Sequence, residues 1–247
     1  MPFAETPLRD EYAAAVERVA RRTLDALRGD GGTAAIADPD SAVPRPTLAA
    51  LRVLGADLFA PQLLSGAAPD GPTSVLLAEA RQAFPAPDSA AASADAALVI
   101  AWQDWAAGQV LARTPYGTGA PPPVPPPGPE AVGWQTWSVR MAQLSVLALP
   151  GLDGPVHDTA RAHTLALARG TVRSMLRRDL PTAARLARWL AWAGAEGRPL
   201  RLEVEPVLER IRLAGNGSAR TGLELAVARR LLDRSSRPPT DRRSRVR

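Results

Sequence analysis

Apolar residues recur every three or four positions along nearly the whole chain, the period of a helix rather than the alternation of a strand. Leu8, Tyr12, Ala15, Val19 and Leu27 mark one face of a helix over 6–29, with arginine and glutamate opposite. A second helix is predicted over 47–59, where Pro61 interrupts it, and a third begins at Thr73 as its cap. The segment 94–113 is apolar nearly all round, through Leu98, Val99, Ile100, Trp102, Trp105, Val110 and Leu111. A helix without a continuous polar face is expected to be central and buried.

Five more helices follow at 131–149, 156–178, 181–193, 206–214 and 222–234. Asp179 and Pro181 form the corner of an antiparallel pair, and Thr221 with Glu224 has the spacing of a capping box. The run "LRLEV" at 200–204 alternates like a strand but finds no partner strand, so it reads as an extended connector or a helix start. The pattern predicts an all-α protein of about eight or nine helices, arranged as a helical bundle or as stacked helical hairpins. No repeat of fixed period is found.

Two stretches break the pattern. "TPYGTGAPPPVPPPGPE" at 114–130 carries eight prolines and reads as a stiff extended spacer. It separates an N-terminal helical region, 1–113, from a C-terminal one, 131–234; the two are either separate or packed as one domain. The remainder, 235–247, belongs to a Ser- and Pro-containing basic tail. Such a tail has too little apolar area to fold and is expected to be disordered.

Composition narrows the chemistry. At 247 residues and 46% hydrophobic content the chain can bury a sizeable core. Cysteine is absent, which removes disulfides, thiolate catalysis and sulfur-ligated metals. All 30 basic residues are arginine, so no Schiff-base or P-loop lysine exists. No basic segment followed by an apolar run opens the chain, and no uninterrupted apolar stretch approaches the roughly 20 residues of a membrane span. A cytoplasmic protein without membrane contact, cofactor or metal is expected.

Charge is divided unevenly. Residues 1–150 hold 10 Arg against 15 acids, whereas 151–247 hold 20 Arg against 10 acids. From Arg234 onward there are six Arg against Asp241 alone, enough for weak, sequence-indifferent attraction to nucleic acid.

All six tryptophans fall in three doublets of W-x-x-W spacing: Trp102 with Trp105, Trp134 with Trp137, and Trp189 with Trp192. Residues three apart share one side of a helix. In alanine-rich helices indoles supply missing bulk, and Trp102, Trp105, Trp134, Trp137 and Trp189 are expected to be chiefly core. Trp192, between Arg185 and Arg188, is expected at an exposed edge. Together with Arg140 and Arg161 these residues outline an Arg-rich, Trp-edged surface in the C-terminal half.

The leading functional expectation is a non-catalytic binding or adaptor protein with a protein partner on that surface. One alternative is an enzyme of specialised metabolism, holding a small apolar or aromatic ligand in a Trp-lined cavity. Its candidate catalytic groups are Asp104, a polar residue on an apolar helix, and His157 near a helix start. His157 and His163, six residues apart on one helix, point about 120° apart and cannot share a metal. A second alternative is nucleic-acid binding through the arginine stripe Arg169, Arg173 and Arg177.

Overall fold

The computed structural model describes residues 5–29, 43–86, 93–117, 122–126, 133–215 and 217–236. The basic tail from 237 on, the connection 30–42 and parts of the proline segment lie outside the described residues. Among the described residues the protein is all-α, with no strand. The helices are α1 (Glu5–Arg28), α2 (Arg45–Leu54), α3 (Ala60–Ser65), α4 (Gly71–Ala83), α5 (Ala94–Leu111) and α6 (Trp134–Gln143). They continue with α7 (Pro155–Ala162), α8 (Thr164–Leu176), α9 (Leu180–Ala195), α10 (Val204–Ala214) and α11 (Ala219–Ser236).

These eleven exceed the eight or nine expected because α3 begins where Pro61 was expected to end a helix, with that proline in its first turn, and because the helix expected over 156–178 is divided. A 3-10 turn, Gly55–Phe59, separates α2 from α3, and Gly55 at φ 53° ends α2. The stretch from Arg45 to Ser65 is long and apolar enough to cross a membrane by composition, with mean hydropathy 1.3. In the fold 67% of that window is buried. The division of the 156–178 helix falls at His163, whose non-helical ψ of 35° splits it into α7 and α8. A second 3-10 turn, Ser145–Leu147, shortens the helix expected over 131–149.

Local chemistry accounts for most helix starts. Asp70 rather than Thr73 caps α4, accepting from the Thr73 amide at 2.8 Å. Ser93 caps α5 and Asp179 caps α9 in the same way. Pro181 then sits in the first turn of α9, where a missing N–H costs nothing. At α11 the expected Thr221–Glu224 box does not form. Glu17 of α1 accepts from the Ala219 amide and the Ser218 hydroxyl at 2.6 and 2.8 Å, which frees Glu224 to point inward.

The sequence pattern placed 94–113 at the centre; the structure gives that place to α9. Helices α6, α7, α8, α10 and α11 surround α9, and 183, 184 and 186–193 are all buried. Alanines at 183, 184, 187, 191 and 193 let its neighbours approach, while Leu186, Trp189, Leu190 and Trp192 fill the space between. Helix α5 keeps Gln103, Asp104 and Gln109 half-buried because it packs mainly on the two 3-10 turns. From α9 the packing runs outward through α11 to α1, then α2 and α4, and buried apolar residues from Ala15 to Leu231 form one contiguous cluster. Part of the proline segment also lies on α5. Trp102 Nε1 donates to the Pro126 carbonyl at 3.3 Å, and a Cβ on Gly108 would come within 3.0 Å of Pro122.

Helices approach closely at Gly170, where an added Cβ would lie 2.6 Å from Ser138 Cβ and 3.0 Å from Leu186 Cδ1. Alanine at an ordinary helix position is favoured over glycine by about 1 kcal/mol. Here overpacking, typically 1–3 kcal/mol, outweighs that gain. Gly170→Ala is therefore expected to lose about 1–2 kcal/mol in urea unfolding. Adding Ser138→Gly should restore part of it. A fully stable Gly170→Ala protein would show that α6 and α8 do not meet there.

Candidate functional site

The first and third tryptophan doublets converge. Trp102 and Trp105 meet edge to face at 5.3 Å between ring centroids, and Trp189 and Trp192 do so at 5.5 Å. Between them lies His157, whose ring centroid is 5.1 Å from Trp192, 5.5 Å from Trp189 and 6.4 Å from Trp105. The doublets thus close on an imidazole. The break at His163 makes this possible, because the short α7 turns its first residues back onto α9.

His157, singled out near a helix start, is fully buried. Its Nε2 lies 2.9 Å from the Leu147 carbonyl oxygen, which can only accept. Nε2 therefore carries the proton, and Nδ1 presents a lone pair that finds no partner, as does the Trp105 indole N–H. Burial pushes the imidazole below its ordinary pKa, against the upward pull of the Leu147 carbonyl and Asp153.

Trp192 is not the exposed edge the sequence suggested; it is 2% accessible. Helix α7 covers it, and the Arg161 guanidinium lies 4.9 Å above its ring. Asp153 and Asp158 at 2.9 Å, with Glu196 at 3.4 Å, hold Arg161 there. The middle doublet stays apart from the others. Trp134 and Trp137, expected in the core, are only half-buried on α6. Trp134 carries Arg173 at 5.7 Å, and Trp137 meets the exposed His163 at 5.5 Å. Arg140 extends from the same helix to the exposed Asp95 at 3.0 Å.

Arg188 departs furthest from its surface expectation. Its side chain is fully buried in the part of α9, 186–193, that is enclosed on every side. Its Nη2 donates to Asp57 at 2.7 Å, Nη1 to Glu224 at 3.0 Å and Nε to the Ala148 carbonyl at 3.2 Å. Ser145 adds a hydroxyl donor to the other Glu224 oxygen at 2.9 Å. Arg185, half-buried, stands 3.8 Å from the same carboxylate. Burial, joined by the nearby Glu224 carboxylate, pushes the Asp57 carboxyl up against the pull of Arg188. It would do the same to Glu224, but Arg188, then Arg220 and Arg185, draw Glu224 below its ordinary value.

Asp104, the acid singled out on α5, is engaged. Arg52 Nη2 approaches its two oxygens at 2.6 and 2.7 Å, and Arg52 Nε donates to the Phe84 carbonyl at 3.0 Å. Gln103 is likewise satisfied, donating to the Gln143 carbonyl at 3.0 Å. Among the described residues no three of His, Asp and Glu gather as a metal-ligand set. A cleft of about 320 Å³ opens between α1, α10 and α11, far from the indoles in sequence. Its Arg212 and Arg229 are already paired with Glu209.

Sequence reasoning missed Asp57, Ser145 and Glu224 as partners of Arg188. A signal for Arg188 was present: it is the one charge inside "LARWLAWAG". No comparable signal marks Asp57, which is 131 residues from its partner. No family model matches the chain, and neither the curated proteins nor the solved structures contain a match.

Two outcomes follow from the buried charges. Arg188→Met leaves Asp57 without its ion-pair partner and Glu224 with only the more distant Arg185, and is expected to cost about 3–5 kcal/mol of unfolding free energy. Replacing the set together, as Asp57→Asn, Arg188→Met and Glu224→Gln, should cost less than the single change. A near-neutral Arg188→Met would mean that the guanidinium is hydrated.

For His157 the folded pKa lies below the unfolded value of about 6.5. Its stabilising contribution is therefore complete above about pH 6.5 and falls as pH drops from there through the folded value. Between about pH 7.5 and 5 the midpoint of thermal unfolding should fall more in the wild type than in His157→Gln. Parallel curves would show that the imidazole is free to ionise in the fold.

Proposed function

We propose that the chain is a non-catalytic, cytoplasmic helical binding protein that docks an acidic amphipathic helix along the outer face of α8. One observation carries this reading. Leu165, Val172 and Leu176 are 48%, 43% and 81% accessible, and they share a single stripe with the exposed Arg169. Their spacing of four, three and four residues is that of a coiled-coil seam, with arginine at one seam position. The opposite side of α8, through Leu167, Thr171 and Ser174, faces the core.

The chemistry of the stripe favours an acidic partner. Helix α8 contains no acid, while Arg169, Arg173 and the following Arg177 and Arg178 line it. Arg173 over Trp134 supplies a basic, aromatic border, so the C-terminal surface is edged by α6 rather than by Trp192. Leucine or valine at three of the four contact positions provides apolar anchors, and an acid opposite Arg169 would fix the register. A second copy of α8 would place arginine against arginine, which argues for a different chain as the partner.

The catalytic alternative has weaker support. Asp104 is held by Arg52, and the first and third doublets enclose His157 rather than a substrate-sized space. The stripe of arginines is interrupted by apolar residues, which suits a helix better than a phosphate backbone.

A synthetic helix with leucines in a heptad seam and glutamates beside them provides the test. It should bind the full chain with an affinity that falls with added salt, since part of the attraction is between exposed charges. Leu176→Glu should weaken it tenfold or more while leaving stability within about 0.5 kcal/mol. Equal binding by Leu176→Glu, or a preference for the lysine version of the peptide, would overturn the proposal.

A further inference from the structure

Away from α8 in sequence, Arg45 and Arg52 of α2 both contact Phe84, and Arg81 lies close before it on α4, electrostatically coupled to Arg52 and Asp104. Arg45 and Arg52 lie two turns apart on the same side of α2. The Arg45 guanidinium stands 5.4 Å above the Phe84 ring, and Arg52 donates to the Phe84 carbonyl while gripping Asp104. Arg81, one turn before Phe84 on α4, reaches toward α5. Its Nη1 comes within 3.6 Å of the position a Cβ on Gly108 would occupy, one turn beyond Asp104.

Arg81 differs from its neighbours. It is half-buried, and among the described residues it makes no hydrogen bond and no ion pair. Asp104 acts on it through space but is taken by Arg52. Glu79, two residues away, is exposed on another side of α4. Burial pushes the Arg81 pKa down; Asp104 pulls it up, and Arg52 pushes it further down. A half-buried guanidinium whose donors meet no acceptor of the protein is open to an acceptor that arrives from solution.

We infer that Arg81, with Arg52 and Arg45, forms a binding site for a phosphate dianion between α2, α4 and α5. Among the described residues Asp104 is the acid paired within this group, and three guanidiniums against its one carboxylate leave an excess of positive charge, the complement of a doubly charged oxyanion. The free donors of Arg81, together with Arg52 Nη1, provide the planar fork that arginine offers to phosphate oxygens. Arg45 stands at the mouth, stacked on Phe84. The site is independent of the α8 stripe, and either can fail without the other.

Calorimetric titration at about pH 8, where phosphate is doubly charged, tests the inference. Inorganic phosphate and O-phosphoserine are the probes, with acetate at matched ionic strength for comparison. Saturable binding of at least one phosphate probe is expected, with acetate at least tenfold weaker. Arg81→Met should weaken binding tenfold or more, and Arg210→Met, on exposed α10, should leave it unchanged. Arg81→Met removes an unpaired cation, so its thermal midpoint should be no lower than that of the wild type. The Arg81 Nε–Hε resonance of the unmodified protein should also shift with phosphate, a readout that does not depend on any variant. The tighter of the two probes identifies free phosphate or a monoester as the source. Unchanged affinity in Arg81→Met, acetate binding as tight as phosphate, or an unmoved Arg81 resonance would each overturn the site.

Discussion

The fold turns on one buried cation. Arg188 sits on the most enclosed helix and draws together the turn after α2, the turn after α6 and the middle of α11. Taking a guanidinium and two carboxylates out of water is expensive, and their mutual attraction offsets this only when geometry and hydrogen bonding are good. Here each Arg188 nitrogen has an acceptor, and Glu224 gains a second donor from Ser145. The arrangement specifies position more than it adds stability, because any shift of α11 or of the 3-10 turn leaves a charge unpaired.

Around that point the core is assembled from small and very large side chains. Alanine lets α9 lie close to its neighbours, and the indoles of Trp102, Trp105, Trp189 and Trp192 take up the volume alanine leaves. His157 completes this packing as an aromatic of the right size with one polar edge satisfied. Its unused Nδ1 and the unused Trp105 N–H are the polar defects of an otherwise apolar cluster, which makes this part of the core sensitive to acid.

Arginine does three different jobs in this lysine-free chain. Buried, it is a structural counterion in Arg188. Laid on an indole, it covers apolar surface, as Arg161 does over Trp192 and Arg173 over Trp134. Left without a partner among the described residues, as Arg81 is, it remains an unfilled donor. The planar guanidinium suits all three roles because it stacks, forks and stays charged. Net charge alone therefore says little about where this protein makes contacts; the pairing of each arginine says more.

The helical period determined the all-α class, and Pro, Gly and capping residues located most helix ends, as at Asp179–Pro181. Those signals are local, carried by neighbours within a turn, and so they are legible in the chain itself. The same logic misjudged Glu224, which has the spacing of a cap but serves Arg188, and Trp192, whose flanking arginines suggested an edge. A helical phase states which residues share a side, not what covers that side. Only the packed structure decided that α7 folds over Trp192, that α9 rather than α5 lies at the centre, and that Asp57 meets Arg188 across 131 residues. Those outcomes depend on contacts between distant elements, and no residue carries the identity of a partner so far away in sequence.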